Sequence, residues 1–124
     1  MRHIFCLQAL ETYTLITRKY PDLAITNYAR INRALLLYQT GSKSQAILEL
    51  EDLEASLRGY AEVHAALAAI IYSERPHEIS YAEEQFDLAS EFDKRYMDVE
   101  WVTREKRWPP AMVAALDRFT NLKG

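Results

Sequence analysis

Three features of the sequence predict an all-α array of stacked helical hairpins in a single domain. Glycine and proline are scarce, three and four residues in 124, while Ala, Leu, Glu, Arg and Gln are frequent. That bias favours helix over strand. No stretch keeps the period-two alternation of a half-buried strand. Helix-length segments also recur at nearly constant spacing, as they do in repeat architectures.

The breakers divide the chain into seven pieces. Cys6 to Lys19 carries apolar residues at Leu7, Leu10, Tyr13, Leu15 and Ile16, and Tyr20-Pro21 stops it because a residue before proline is pushed out of the helical region. Thr26 to Gln39 follows, with Gly41 as the left-handed residue that ends it. Next come Ser44 to Leu57, Ala61 to Glu74 and Ile79 to Phe92, the last with Ser80 as candidate cap. Tyr96 to Arg104 reads as a short sixth helix. Pro110 to Leu122 is a seventh, with proline in its first turn.

The pieces repeat. Ala34-Leu35-Leu36-Leu37-Tyr38 aligns with Ala68-Ala69-Ile70-Ile71-Tyr72 at a shift of 34 residues, and Ala46 aligns with Ala82 at a shift of 36. The two extra residues fall in the turn Ser73 to Ser80, where insertion costs least. A third copy opens the chain, since Ala9, Tyr13 and Ile16 match the spacing of Ala46, Leu50 and Leu53 and of Ala82, Phe86 and Ala89. Small and large residues at i, i+4 and i+7 share one helical face, so the small one permits close approach and the large one fills the gap.

Composition removes several classes of function. Fifteen basic against eighteen acidic residues leave a net charge of −3, with only Arg104, Lys106 and Arg107 clustered, so no nucleic-acid partner is expected. The longest apolar stretch, Ala65 to Tyr72, has eight residues, against roughly twenty for a membrane span. Met1 to Leu10 lacks the features of a signal peptide. Cys6, the single cysteine, allows no internal disulfide and is expected to be a small buried thiol.

Particular residues then point to a family. Asn32-Arg33-Ala34, Tyr38, Gly41 and Ala46 resemble the core of a tetratricopeptide repeat, as does Tyr81 to Ala89 followed by Asp93. The terminal proline of the repeat is matched by Pro21 alone; Arg58 and Lys94 stand there in the later copies, and Leu53 replaces the usual alanine. The units are a half repeat (6–22), two repeats (26–58 and 60–94) and a C-terminal cap (96–122). The tail, Glu91 to Val102 with Arg107-Trp108-Pro109-Pro110 and Ala114 to Phe119, resembles the ending of thylakoid-associated tetratricopeptide proteins of cyanobacteria and chloroplasts. That resemblance implies a thylakoid location, and by analogy a role in photosystem assembly. Its first copy lacks a leading helix, which leaves Leu7, Leu10 and Ile16 to a partner or to further chain upstream. A fragment of a longer, transit-peptide-bearing protein is the favoured alternative.

No catalytic or cofactor-binding arrangement is legible. His64 sits among alanines and His77 in a turn, with no third ligand for a metal, so both are expected to be exposed or half-packed. Cys6 and His3 lie at a terminus without an orienting group. Glu83-Glu84 and Glu49-Glu51-Asp52 read as solvated helix faces. The expectation is therefore a non-catalytic protein-binding scaffold, with a regulatory or binding module of a longer enzyme as the alternative. Its groove would be lined by Tyr28, Ile31, Asn32, Leu35, Tyr38 and Gln39, continuing through Glu62, Ala65, Ala69, Tyr72 and Ser73. These aromatic residues can serve as core as well as contact. The resemblance also raises a chaperone-tail clamp, which Ile31 and Leu35 exclude by standing where polar groups are needed. Trp101, Arg107 and Trp108 are either partner anchors or the cover that the last repeat requires.

Overall fold

The computed structural model describes residues 2–57 and 59–123. Seven helices, linked by short turns, form with no strand among the described residues. α1 (Arg2–Lys19) starts earlier than predicted, because nothing between Arg2 and Cys6 breaks a helix. Pro21 ends it as expected, and the Tyr20 N–H closes its last turn onto Ile16 O at 2.9 Å. α2 (Ala24–Gln39) follows an extended Leu23 that has no capping side chain. The Thr26 hydroxyl instead donates back to Tyr20 O and pins the turn.

Gly41 ends α2 at φ +100°. The Ser42 N–H donates to Leu37 O and the Gly41 N–H to Tyr38 O, at 2.8 and 3.2 Å. These paired bonds are a Schellman ending, which glycine enters without the cost of a Cβ in the left-handed region.

α3 (Lys43–Ser56), α4 (Ala61–Glu74) and α5 (Ile79–Phe92) complete the repeated part. Ser80 does not cap α5; the helix runs on from a 3-10 turn, Pro76–Glu78, and Ser80 lies inside its first turn. The predicted helix Tyr96 to Arg104 is also corrected. A 3-10 turn (Lys94–Met97) precedes α6 (Val99–Trp101), which widens into a π-helical turn, Val102–Lys106. The break is at Asp98, whose extended backbone lets its carboxylate accept from Glu100 N and Trp101 N. A side chain that caps a helix start cannot also sit mid-helix. α7 (Pro110–Lys123) closes the chain. Arg58, one of the residues at the repeat's terminal position, lies outside the described residues.

Consecutive helices pack on one another from α1 to α5, and α7 returns to pack on α4 and, less extensively, on α2. α4 is therefore enclosed, and every residue from Ala61 to Ile71 is buried. A helix apolar on nearly every side is a core helix; Glu62 and His64 are the buried polar exceptions here, and Ala65, Ala66, Ala68 and Ala69 let its neighbours approach. Arg33 ties three helices together, donating from α2 to Thr14 on α1 at 3.0 Å and pairing with Glu49 on α3.

The small-large-small triplets sit where the helices meet. Ala46, Leu50, Leu53, Ala82, Phe86 and Ala89 are all buried, whereas Ala9, Tyr13 and Ile16 of the first copy are only half-buried. Ala82 has no exposed surface and lies on α5 where it packs against α4. Ala82→Leu should therefore overpack that contact and lower stability by about 1–3 kcal/mol. A denaturant midpoint equal to that of the parent would overturn this assignment of the packed face.

Candidate partner-binding surfaces

The side chains predicted to line a groove on α2 and α4 are largely covered. Ile31 and Leu35 are buried and present no surface to a partner. Tyr38 is buried too, and its hydroxyl donates to Glu74 at 2.7 Å. Burial, with that carboxylate beside it, pushes the phenol up to about 12. Tyr72 is half-buried with its ring edge-on to Phe119 of α7, at 5.7 Å. Only Tyr28 stays open, at the rim beside the Tyr60 ring.

α7 covers this face. Met112, Ala115, Leu116 and Phe119 are fully buried against the body. Two polar contacts fix its entry. Gln39 accepts from Ala111 N at 2.7 Å, satisfying one of the N–H groups that a helix start leaves unpaired. Trp108, 4% exposed, donates from its indole N–H to Glu62 Oε2 at 2.8 Å. The Lys106 ammonium lies 3.9 Å from the same carboxylate. Tyr96 packs beside both tryptophans, with ring centroids 5.2 Å from Trp101 and 6.3 Å from Trp108.

Trp101 is half-buried, and the Arg95 guanidinium lies over its ring at 4.6 Å. Asp93, held below the usual carboxylate range by Arg95, pairs with that guanidinium. Arg107 is exposed and takes a left-handed backbone, φ 53°, which turns the chain so that Trp108 faces inward. With Asn32, Tyr13 and Pro109 it borders a shallow pocket of about 160 Å³.

Of the last hairpin, α4 and α5, the tail covers the α4 side, and Phe119 reaches Phe86 of α5. α7 covers α4 and α2, while the outer side of α5 keeps Glu84, Asp87 and Glu91 exposed. That choice follows from charge, because a row of carboxylates offers no apolar surface to Met112, Leu116 and Phe119.

Burial raises the Glu62 carboxyl above its ordinary range, against the opposing pull of Trp108 and Lys106. A raised folded-state value means that Glu62 favours the fold most at acid pH, and that this contribution is lost as pH rises through the folded value. Glu62→Gln keeps an acceptor for Trp108 and removes the buried charge. The stability of this variant relative to the parent should rise as pH increases from about 4, near the free carboxyl value, toward neutrality. Urea melts across that range test the sign, and a relative stability that falls with pH would mean that the Lys106 pair outweighs desolvation.

His64 departs from expectation. It is buried, with Nδ1 2.7 Å from Gln85 Oε1 and its ring stacked on Phe92. A polar ring can sit in an apolar helix when the neighbouring helix supplies its partner. His77 is exposed, as expected. Cys6 is half-buried rather than enclosed, because α1 packs chiefly on α2 and keeps its other sides open. The side chain of His3 lies outside the described residues. Among the described residues, no group of three or more His, Cys, Asp or Glu could hold a metal ion, and no helix is long and apolar enough to cross a membrane.

What remains open is the N-terminal end. Among the described residues, eleven large apolar side chains are exposed, and seven of them precede residue 29: Phe5, Leu7, Leu15, Tyr20, Leu23, Ile25 and Tyr28. Leu10 and Ile16, expected to be uncovered with Leu7, are half-buried. Sequence reading missed Leu15, Leu23 and Ile25. The available signal was that α1 carries apolar residues on more than one face. No family model, curated protein or solved structure matches the chain, so the likeness to tetratricopeptide repeats rests on the residues alone.

Proposed function

We propose that the chain is a non-catalytic helical-repeat scaffold of the tetratricopeptide kind that binds another protein through its N-terminal end. The observation that carries this reading is the uneven apolar surface, with Leu15 and Ile25 each more than 60% exposed beside the α1–α2 turn. Exposed large apolar side chains concentrated on one pair of helices, rather than spread singly over the molecule, favour an interaction site there. The resemblance of the tail, Glu91 to Val102 with Arg107 to Pro110, to thylakoid-associated proteins supports a partner at the thylakoid, a subunit or assembly intermediate of a photosynthetic membrane complex. The scaffold would act as an assembly factor or as an accessory subunit.

The test is affinity capture from detergent-solubilised thylakoids, comparing the parent with a Leu15→Glu, Ile25→Glu double variant. A subunit of a photosynthetic complex should co-purify with the parent and not with the variant, while both proteins melt alike because the two side chains are exposed. Capture that survives the double substitution would remove the N-terminal end from the reading. Recovery of no photosynthetic protein would remove the thylakoid role.

A further inference from the structure

We infer that the N-terminal end receives an amphipathic helix with acidic flanks, laid along the uncovered side of α1; this rests on the protein-binding reading above. Two independent observations lead there, one of shape and one of charge.

The first is a groove of about 410 Å³ along α1, lined by Leu10, Glu11, Thr14, Leu15 and Arg18, with Arg33 of α2 at its edge. α1 packs on α2, and no residue of it from Phe5 to Lys19 is fully buried. Phe5, Gln8, Thr12, Leu15 and Lys19 form one exposed stripe at helical spacing. A helix that packs on one side and keeps leucine and phenylalanine on another is a half-built helix pair. Helix-in-groove recognition seats apolar anchors of the incoming helix, spaced by three, four and seven residues, in such a groove. Leu15, which belongs to both the stripe and the groove, is the apolar side chain they would meet.

The second is the charge distribution. Residues 1–42 hold five basic against two acidic side chains, a net +3. Residues 43–124 hold ten against sixteen, a net −6. The excess of positive charge therefore coincides with the apolar end of an otherwise acidic protein. On the groove itself, Arg33 is already held by Glu49, and Glu11 is the one carboxylate among its lining residues. Arg18 and Lys19, both exposed, carry the charge offered to a partner. Opposite charge on the incoming helix would set its direction and speed its arrival. A basic helix would meet Arg18 and Lys19 as like charges.

A second copy of the chain fits less well. Its own acidic face, on the outside of α5, presents Glu83, Glu84, Asp87 and Glu91 with Leu88 as the one large apolar residue among them. That face would satisfy the charge and leave Phe5 and Leu15 uncovered.

The experiment titrates the 124-residue chain with two synthetic helical peptides of α1's length, eighteen residues. Both carry a leucine stripe; one has glutamate on its flanks and the other lysine. The acidic peptide should bind about tenfold more tightly at low salt, and the difference should shrink as salt is added. Arg18→Glu with Lys19→Glu should reverse the order. Leu15→Glu should abolish binding of both peptides without shifting the melting temperature. Equal binding of the two peptides, or a preference that the double charge reversal leaves intact, overturns the inference. So does a dimer of the free chain in sedimentation that Leu15→Glu dissociates, because a second copy would then own the face. Thylakoid capture without acidic preference would sink this inference alone, whereas acidic preference without a photosynthetic partner would sink only the proposed location.

Discussion

Trp108→Ala should destabilise the isolated chain by about 3–5 kcal/mol, the usual range for truncating a large buried aromatic. Two losses combine. The indole is 4% exposed and packs beside Tyr96, so its removal opens a cavity next to the aromatic cluster. Its N–H is also a hydrogen-bond donor to the buried Glu62 carboxylate, which would keep only the Lys106 ammonium 3.9 Å away. Small domains have about 5–15 kcal/mol in total, so the variant should melt well below the parent. Trp108→Phe separates the two losses: it keeps most of the packing and removes the donor, at about 1–3 kcal/mol. Equilibrium denaturation of both variants, read by circular dichroism, checks the ordering. A Trp108→Ala chain as stable as the parent but defective in partner capture would make this residue an anchor, contrary to its buried place.

Phe119→Ala should be comparably damaging, again about 3–5 kcal/mol. Phe119 is fully buried, with its ring edge-on to Phe86 at 5.0 Å and to Tyr72 at 5.7 Å. It therefore joins α7 to both α5 and α4. Edge-to-face pairs add to the area they bury, so loss of this ring should loosen the seam along α4. The result expected is a lower denaturation midpoint and a weaker near-ultraviolet aromatic signal, with most helicity retained at low temperature. If α7 were instead a detachable lid over a partner groove, Phe119→Ala would barely change the midpoint and would open Tyr38 and Tyr72 to chemical modification.

The difference between the predicted and the observed surface lies in α7. Helical periodicity identified Ile31, Leu35 and Tyr38 as one apolar face, and they do share one. Whether that face meets a partner or another part of the same chain depends on a segment more than seventy residues away. Gln39 bonding to Ala111 and Glu62 bonding to Trp108 are such long-range choices, and no local pattern announces them. His64 is a similar case. Its neighbours in sequence are alanines, so nothing there reveals that α5 brings Gln85 to within 2.7 Å.

Helix existence and most helix ends were local matters. Pro21 and Gly41 ended helices for reasons that act within a few bonds, fixed or forbidden backbone angles, and those reasons hold in any surroundings. The buried triplets were legible for the same cause, because small-large spacing along one helix already states how closely a neighbour can approach. The cover of α2 and α4, and which apolar side chains of α1 and α2 stay exposed, depended on how the elements pack. Burial is a property of pairs of elements, and an apolar stripe carries no record of which surface it will meet.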